Sequence, residues 1–172
     1  MTQTRLVLQQ FLPYRLVVTA TLVSEAVAKA YADLFGLTIP EWRVIAITAE
    51  EAPVTQAGIC AVSRMDKVTV SRAAIALVGR GLLERRPHPE DKRSHLLALT
   101  DAGRAMYEAI APKALGIEAA IFGQFAEGEL ETLRGLLARI DAAVEAGLQG
   151  MWGGGPWSSR GSISSDRSVA PR

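Results

Sequence analysis

The sequence holds one cysteine, Cys60, and two histidines, His88 and His95, in 172 residues. A lone cysteine excludes an intramolecular disulfide framework and fits a reducing cytoplasm. Three soft or imidazole ligands fall short of the roughly four converging donors a zinc site wants, so neither a metal nor another cofactor is expected. Long apolar runs are missing as well. The longest uncharged stretch, Ala146 to Ser159, is glycine-rich and contains Pro156, which rules out a membrane-spanning helix there. Behind Arg5 the apolar residues are interrupted by Gln9, Gln10 and Pro13, and no small-residue cleavage site follows, so no signal peptide is expected and the reading is cytoplasmic. Charge of one sign is not in excess: 19 Lys and Arg against 18 Asp and Glu leave +1, which excludes a histone-like polycation but not local clustering. There is no glycine-rich phosphate loop, no Gly-x-Ser-x-Gly elbow and no histidine with a helical carboxylate partner, so an enzyme is not expected. What remains, 49% hydrophobic and 22% charged residues, is the composition of one ordinary globular domain.

Apolar periodicity divides that domain. Leu16, Leu22 or Val23, Val27, Ala30 or Tyr31 and Leu34 recur at three- and four-residue steps and predict a long helix from about Val7 to Phe35, with Pro13 bending or breaking its start and Gly36 ending it. Thr38-Ile39-Pro40-Glu41 is a capping box opening a second helix to about Glu50. A short helix, Thr55 to Val62, a turn at Ser63 to Asp66 and another helix, Lys67 to Gly79, follow; Val68, Ile75 and Val78, with Ala74 beside them, are expected on the buried face of the latter. Leu82 to Arg86 and Arg93 to Leu99 have strand character, and Pro87-His88-Pro89-Glu90-Asp91-Lys92 between them makes the tip of a hairpin. Thr100 and Asp101 cap a helix to about Phe125, and Glu127 to Leu148 forms the last one, striped by Leu130, Leu133, Leu136 or Leu137, Ile140 and Val144. From Gly150 the chain turns to Gly and Ser, so residues 1–149 are expected to be the domain and residues 150–172 a flexible tail. Trp152 and Trp157 within it read either as loose aromatics or as rings docked on the body.

Helix, tight turn, helix and hairpin in that order predict a mainly α fold with a small β-hairpin, a winged helix-turn-helix whose DNA-binding module spans about residues 53–99. The charge pattern agrees. From Arg64 to His95 there are eight basic and four acidic residues, a local excess of four in a chain whose total is +1, so the remainder is mildly acidic. Such a module orients itself on a polyanionic duplex. In the helix after the turn, Lys67, Thr69, Val70, Ser71 and Arg72 are expected to reach base edges or phosphates: Thr69 and Ser71 as short donors, Val70 against a thymine methyl, Arg72 on guanine or phosphate. In the hairpin, Asp91 is expected to hold the Arg93 guanidinium for a minor groove, with Lys92 beside it, and Arg85 and Arg86 to meet phosphates.

The stretch Met65 to Arg104 resembles the MarR family of transcriptional regulators. The likeness is carried by a recognition helix, a G-L-x-x-R strand (Gly81, Leu82, Arg85), a D-x-R-S wing (Asp91, Arg93, Ser94) and an L-T-x-x-G restart (Leu99, Thr100, Gly103). Helical flanks extend it over roughly residues 7–149. FLPYRL and LTIPEWRV (Phe11 to Leu16, Leu37 to Val44) look like a branch associated with aromatic-compound catabolism. The resemblance implies a homodimer built from helices at about residues 7–35 and 101–149, a pseudo-palindromic operator, and repression relieved by a small effector such as an aromatic acid or its CoA thioester. Apolar stripes at both ends of the chain, more than one module can cover, also ask for a partner.

Tyr14, Arg15, Trp42 and Arg43 are the effector-binding candidates, since rings stack and arginine grips a carboxylate bidentately. Trp42 reads most simply as a core anchor, and Arg15 and Arg43 as partners of Glu25 or Glu50 or as DNA-facing. Cys60, among apolar neighbours, reads as an inert thiol rather than a redox switch. A winged-helix adaptor that binds a protein instead of DNA is the alternative function.

Overall fold

The computed structural model describes residues 5–91 and 93–151. Three of its helices begin at side chains that accept helix-end amides. A 3-10 turn, Leu8–Gln10, precedes the first helix, α1, which runs Leu12–Phe35. It starts later than the apolar stripe suggests because Pro13 has no amide to donate to an upstream turn and is tolerated only in a helix's first turn. Gly36 ends α1 in the left-handed region (φ 59°), its amide donating to the Ala32 carbonyl. Thr38 opens α2, Ile39–Glu51, with the expected reciprocal box: the Glu41 amide donates to Thr38 Oγ1 (3.3 Å) and the Thr38 amide to Glu41 Oε2 (2.7 Å).

A strand of two residues, β1 (Val54–Thr55), leads into α3, Gln56–Ser63, which Thr55 caps by accepting the Gly58 amide at 3.0 Å. Arg64 closes α3 in the left-handed region (φ 57°), a conformation most side chains avoid, and so makes the tight turn. Asp66 then caps α4, Lys67–Gly79, accepting the Val68 and Thr69 amides at 2.9 Å each. Strands β2 (Leu83–Pro87) and β3 (His95–Leu99) pair antiparallel from Leu83↔Leu99 to Pro87↔His95. β1 joins the other edge of β3, so the hairpin is part of a three-stranded sheet of order β1-β3-β2. Two residues are too few for an alternating pattern, which is why only the hairpin was legible.

The core beneath this sheet is Val44 and Ile45 of α2, Ile59 of α3, Val70, Ala74 and Leu77 of α4, Leu83 and Leu97 of the sheet, and Ile110 further on, all buried. Buried Thr48 returns its hydroxyl proton to the Val44 carbonyl at 2.7 Å, as a polar group inside a core must. Helix α4 is rotated relative to the expected face. Val70, Ala73, Ala74 and Leu77 point inward and Val78 is half-buried, whereas Val68 and Ile75 are each 57% exposed. At 100° per residue both sets of apolar residues form a stripe, and small Ala73 and Ala74 let α4 pack closely on the side where they lie.

Thr100 joins the sheet to α5, Asp101–Phe122. Its hydroxyl donates to the Gly81 carbonyl (2.6 Å) and accepts the Gly103 amide (3.0 Å), while its own amide donates to the Leu82 carbonyl (3.2 Å). The chain forms one compact unit up to Ala120 and another from Ile121. The second contains α6, Glu127–Met151, which continues two residues into the stretch expected to be tail; the rest of that stretch, with Trp152 and Trp157, lies outside the described residues. Leu133, Leu136, Leu137, Ile140 and Val144 of α6 are exposed, and so, in the first unit, are Leu8, Phe11, Leu12, Leu16 and Val17. No described helix is long and apolar enough to cross a membrane.

Candidate nucleic-acid interface

The inward turn of Val70 and its neighbours decides what α4 presents to solvent. Its outward face carries Val68, Arg72 and Ile75, flanked by Lys67 and half-buried Ser71. Val70, expected against a thymine methyl, is fully buried and faces the core, so it reaches no base; Ala73 is buried with it. Thr69 is not a free donor either. Its hydroxyl gives its proton to Asp66 Oδ2 at 2.6 Å, and the amide above binds Oδ1 of the same carboxylate. Those bonds, the Thr69 hydroxyl first, hold the Asp66 carboxyl below the usual range for an aspartate. The sign follows: a lowered carboxylate stabilises the fold fully above its ordinary value, and that contribution is lost only as pH falls through the lowered one. At neutral pH the cap is charged and intact.

The hairpin is shaped by its own backbone contacts. His88 Nδ1 accepts the amides of Glu90 (3.2 Å) and Asp91 (3.1 Å), which makes His88 the brace of the tip. Asp91 Oδ1 accepts the backbone amide of Arg93 at 2.9 Å rather than its guanidinium. The expected Asp-x-Arg contact therefore exists in another form: Asp91 fixes the turn, and the Arg93 side chain projects exposed. Arg85 and Arg86 separate, because successive side chains of a strand leave on opposite faces. Arg86 Nε donates to Glu84 Oε1 at 2.9 Å, and a second guanidinium nitrogen binds the same oxygen, so Arg86 is already paired. Lys92 lies outside the described residues.

Between α4 and the hairpin runs a groove of about 620 Å³ that receives Lys67, Ser71 and Ile75 from α4, Arg85 from β2, and Asp91 and Arg93 from the tip. Among the described residues Lys67, Arg85 and the Arg93 guanidinium have no acidic partner, so three cations from three elements share one concave surface with a single carboxylate that is turned to the backbone. Arg72 stands on the other flank of α4, where with Thr69 and Ala76 it lines a shallower groove against Thr38 and Glu41 of α2.

Arg80, which no motif singled out, ties the far end of α4 to the α1–α2 joint. Its guanidinium donates to the Gly36 carbonyl at 3.1 Å and lies 3.8 Å from Glu41 Oε1. The partner is 44 residues away in sequence, and nothing local signals such a bond.

The four effector candidates are not gathered by any contact among the described residues. Trp42 stacks on Tyr107 (centroids 5.8 Å apart, 16° between planes) and tilts against Tyr31 at 5.4 Å, so it is the anchor of an aromatic cluster joining α1, α2 and α5. Burial raises the Tyr31 hydroxyl's pKa, partly opposed by a hydrogen bond with Trp42. Arg15 bonds Gln9 at 3.3 Å, Arg43 is exposed and Tyr14 is half-buried. A groove between α1 and α2, lined by Ala20, Ser24, Ala28 and Ile39, includes none of the four.

The chain is similar to known proteins. A family model described as the MarR family matches residues 35–94. YwoH of Bacillus subtilis, an uncharacterised HTH-type transcriptional regulator, is 32% identical over 97 residues, covering 56% of this chain and 70% of YwoH. NicR of Pseudomonas putida, an HTH-type transcriptional repressor, is 28% identical over 112 residues, covering 64% of this chain and 71% of NicR. The crystal structure of CouR from Rhodococcus jostii, bound to p-coumaroyl-CoA, is similar with a TM-score of 0.70 at 25% identity, over 79% of this chain and 95% of that one.

Proposed function

The chain belongs to the MarR family of transcriptional regulators, and from that premise we propose that it binds a pseudo-palindromic DNA duplex as a homodimer and represses transcription until a small aromatic acid or its CoA thioester releases it. The observation that carries the DNA reading is the groove between α4 and the hairpin, where Lys67, Arg85 and Arg93 outnumber the one carboxylate, Asp91, and, among the described residues, pair with no acid. Exposed cations on one concave surface add their fields and hold counterions that a polyanion displaces, and a duplex backbone supplies the phosphates while α4 enters the major groove. Ser71 and Arg72 are the polar readers. Arg72 takes a guanine bidentately or a flanking phosphate, and Arg86 contributes only if it leaves Glu84.

Pairing of two copies follows from the exposed apolar residues at the start of the first unit and along α6, each of which presents surface to water that a second copy would cover. A two-fold pair sets its α4 helices about 34 Å apart, one helical turn of DNA. The test is titration of a fluorescent duplex, selected from a randomised pool by the protein, at 50 to 200 mM salt. A stoichiometry of two chains per duplex is expected, with affinity falling by roughly 10³-fold across that range for about six phosphate contacts. A flat salt response would mean that the surface takes a protein partner instead.

Release requires an effector that prefers the DNA-free conformation; equal affinity for both conformations shifts nothing. CouR holds p-coumaroyl-CoA; in this chain the Trp42–Tyr107 stack is the candidate aromatic wall, and Tyr14, Arg15 and Arg43 remain the candidates to grip a carboxylate or a phosphate. A panel of aromatic acids and CoA thioesters is expected to contain a compound that both raises the melting temperature and frees the labelled duplex. A panel without one removes the effector assignment and leaves DNA binding standing.

A further inference from the structure

We propose that Val68 reads a methyl group: in the major groove its side chain takes the C5-methyl of a thymine. The inference rests on the DNA-binding reading above and adds which chemistry on the base edges is recognised. Val68 is the second residue of α4, at the helix end that meets bases in this architecture, and it is 57% exposed. Its position is fixed twice. Its amide donates to Asp66 Oδ1 at 2.9 Å, and a β-branched side chain in a helix has essentially one χ1 rotamer, so the two methyls form a rigid apolar knob.

The core has no use for that knob. Val70, Ala73, Ala74 and Leu77 complete the inner face of α4 without it, and Ile75, two turns further on at the same angular position, is exposed to the same extent. The outward face is therefore an apolar strip bordered by Lys67 and Arg72, with Ser71 between them. Its matching surface is apolar at the centre and anionic at both edges. A major groove has that form where a thymine points its methyl outward between two phosphate backbones, since the methyl is the one apolar group any base presents there. A hydrophobic peptide with acidic flanks is the competing occupant, and the experiment separates the two.

The full-length protein is used to select a duplex from a randomised pool. The winner is resynthesised with deoxyuridine in place of each thymidine in turn, made symmetrically in both half-sites, which removes one methyl group per half-site and nothing else. At one thymidine position affinity is expected to fall about fourfold per half-site, hence about 15-fold for the pair, the value of one buried methyl on each side. Val68→Ala, at an exposed position outside the core cluster, is expected to bind the thymidine duplex more weakly, to keep its melting temperature, and to show less than a twofold difference between the two duplexes at that position. Binding that ignores uracil everywhere, or a uracil effect that survives intact in Val68→Ala, overturns the assignment while duplex binding stands. Failure to select any duplex overturns duplex binding itself and hands the strip to the peptide.

Discussion

Replacing Arg85 and Arg93 together by alanine leaves the fold intact and weakens duplex binding by about 10³-fold near 0.1 M salt. Both side chains are exposed, line the groove between α4 and the hairpin, and make no described contact that the fold needs; the bond that shapes the tip comes from the Arg93 amide, which alanine keeps. Two phosphate contacts per subunit are four per dimer. Each neutralised phosphate contributes about 0.9 to the slope of log affinity against log salt, so the variant's slope is shallower by about 3.6, and the loss is largest at low salt. Within the pair, Arg93 carries the larger preference for A·T-rich sequence, because a narrow minor groove concentrates negative potential where an exposed tip arginine can enter. Arg86→Ala is the internal comparison. Its guanidinium is held by Glu84, so its removal costs far less affinity than that of Arg85 on the opposite strand face. Equal losses for Arg85 and Arg86, measured by anisotropy titration at several salt concentrations, would place the duplex on the wrong face of β2.

Gly103→Ala is expected to destabilise the protein by about 3 kcal/mol, a loss of about 10 °C in melting temperature for a chain of this size. Helix propensity alone predicts the opposite sign, since alanine gains up to about 1 kcal/mol over glycine inside a helix. Contact geometry overrules it. A Cβ on Gly103 would stand 2.0 Å from the Leu82 carbonyl oxygen, a backbone atom that also accepts the Thr100 amide and cannot move without opening the joint between the sheet and α5. Gly79→Ala isolates the propensity effect: nothing lies within 4 Å of its added methyl, and the melting temperature should rise by a degree or two, from about 0.5–1 kcal/mol. Thermal unfolding by circular dichroism reads both. A Gly103→Ala protein that melts with the parent would show that α5 does not approach the sheet base closely.

Much of this was legible along the chain, and the reason differs by element. Capping residues act within four positions of their partners, so Thr38 with Glu41 announced α2, and the helices read from Thr55 and Lys67 start within a residue of α3 and α4, although Thr55 and Asp66 were not singled out as their caps. The hairpin's prolines and acids marked its tip. The rotation of α4 was not legible in the same way: Val68 and Ile75 form as good a stripe as Val70 and Leu77, and the choice is made by Ala73 and Ala74 admitting α2 and the sheet on their side. That choice moved Val70 into the core and Val68 to the surface. Asp91 bonds the Arg93 backbone amide and not the guanidinium that was expected, because residue spacing does not tell one from the other. Contacts between distant segments, Arg80 with Gly36, Trp42 with Tyr107 and β1 with β3, leave no local trace at all.

The division of α4 into an inner face of Val70, Ala73, Ala74 and Leu77 and an outer face of Val68, Ser71, Arg72 and Ile75 has an evolutionary corollary. The positions that keep the protein folded are not those that would choose its target. Exposed substitutions away from caps and core ordinarily shift stability by no more than about 0.5 kcal/mol, so mutations at Val68 or Arg72 can accumulate without passing through an unfolded ancestor. A duplicated copy of such a gene is free to drift toward a new address in the genome while its scaffold stays as it was.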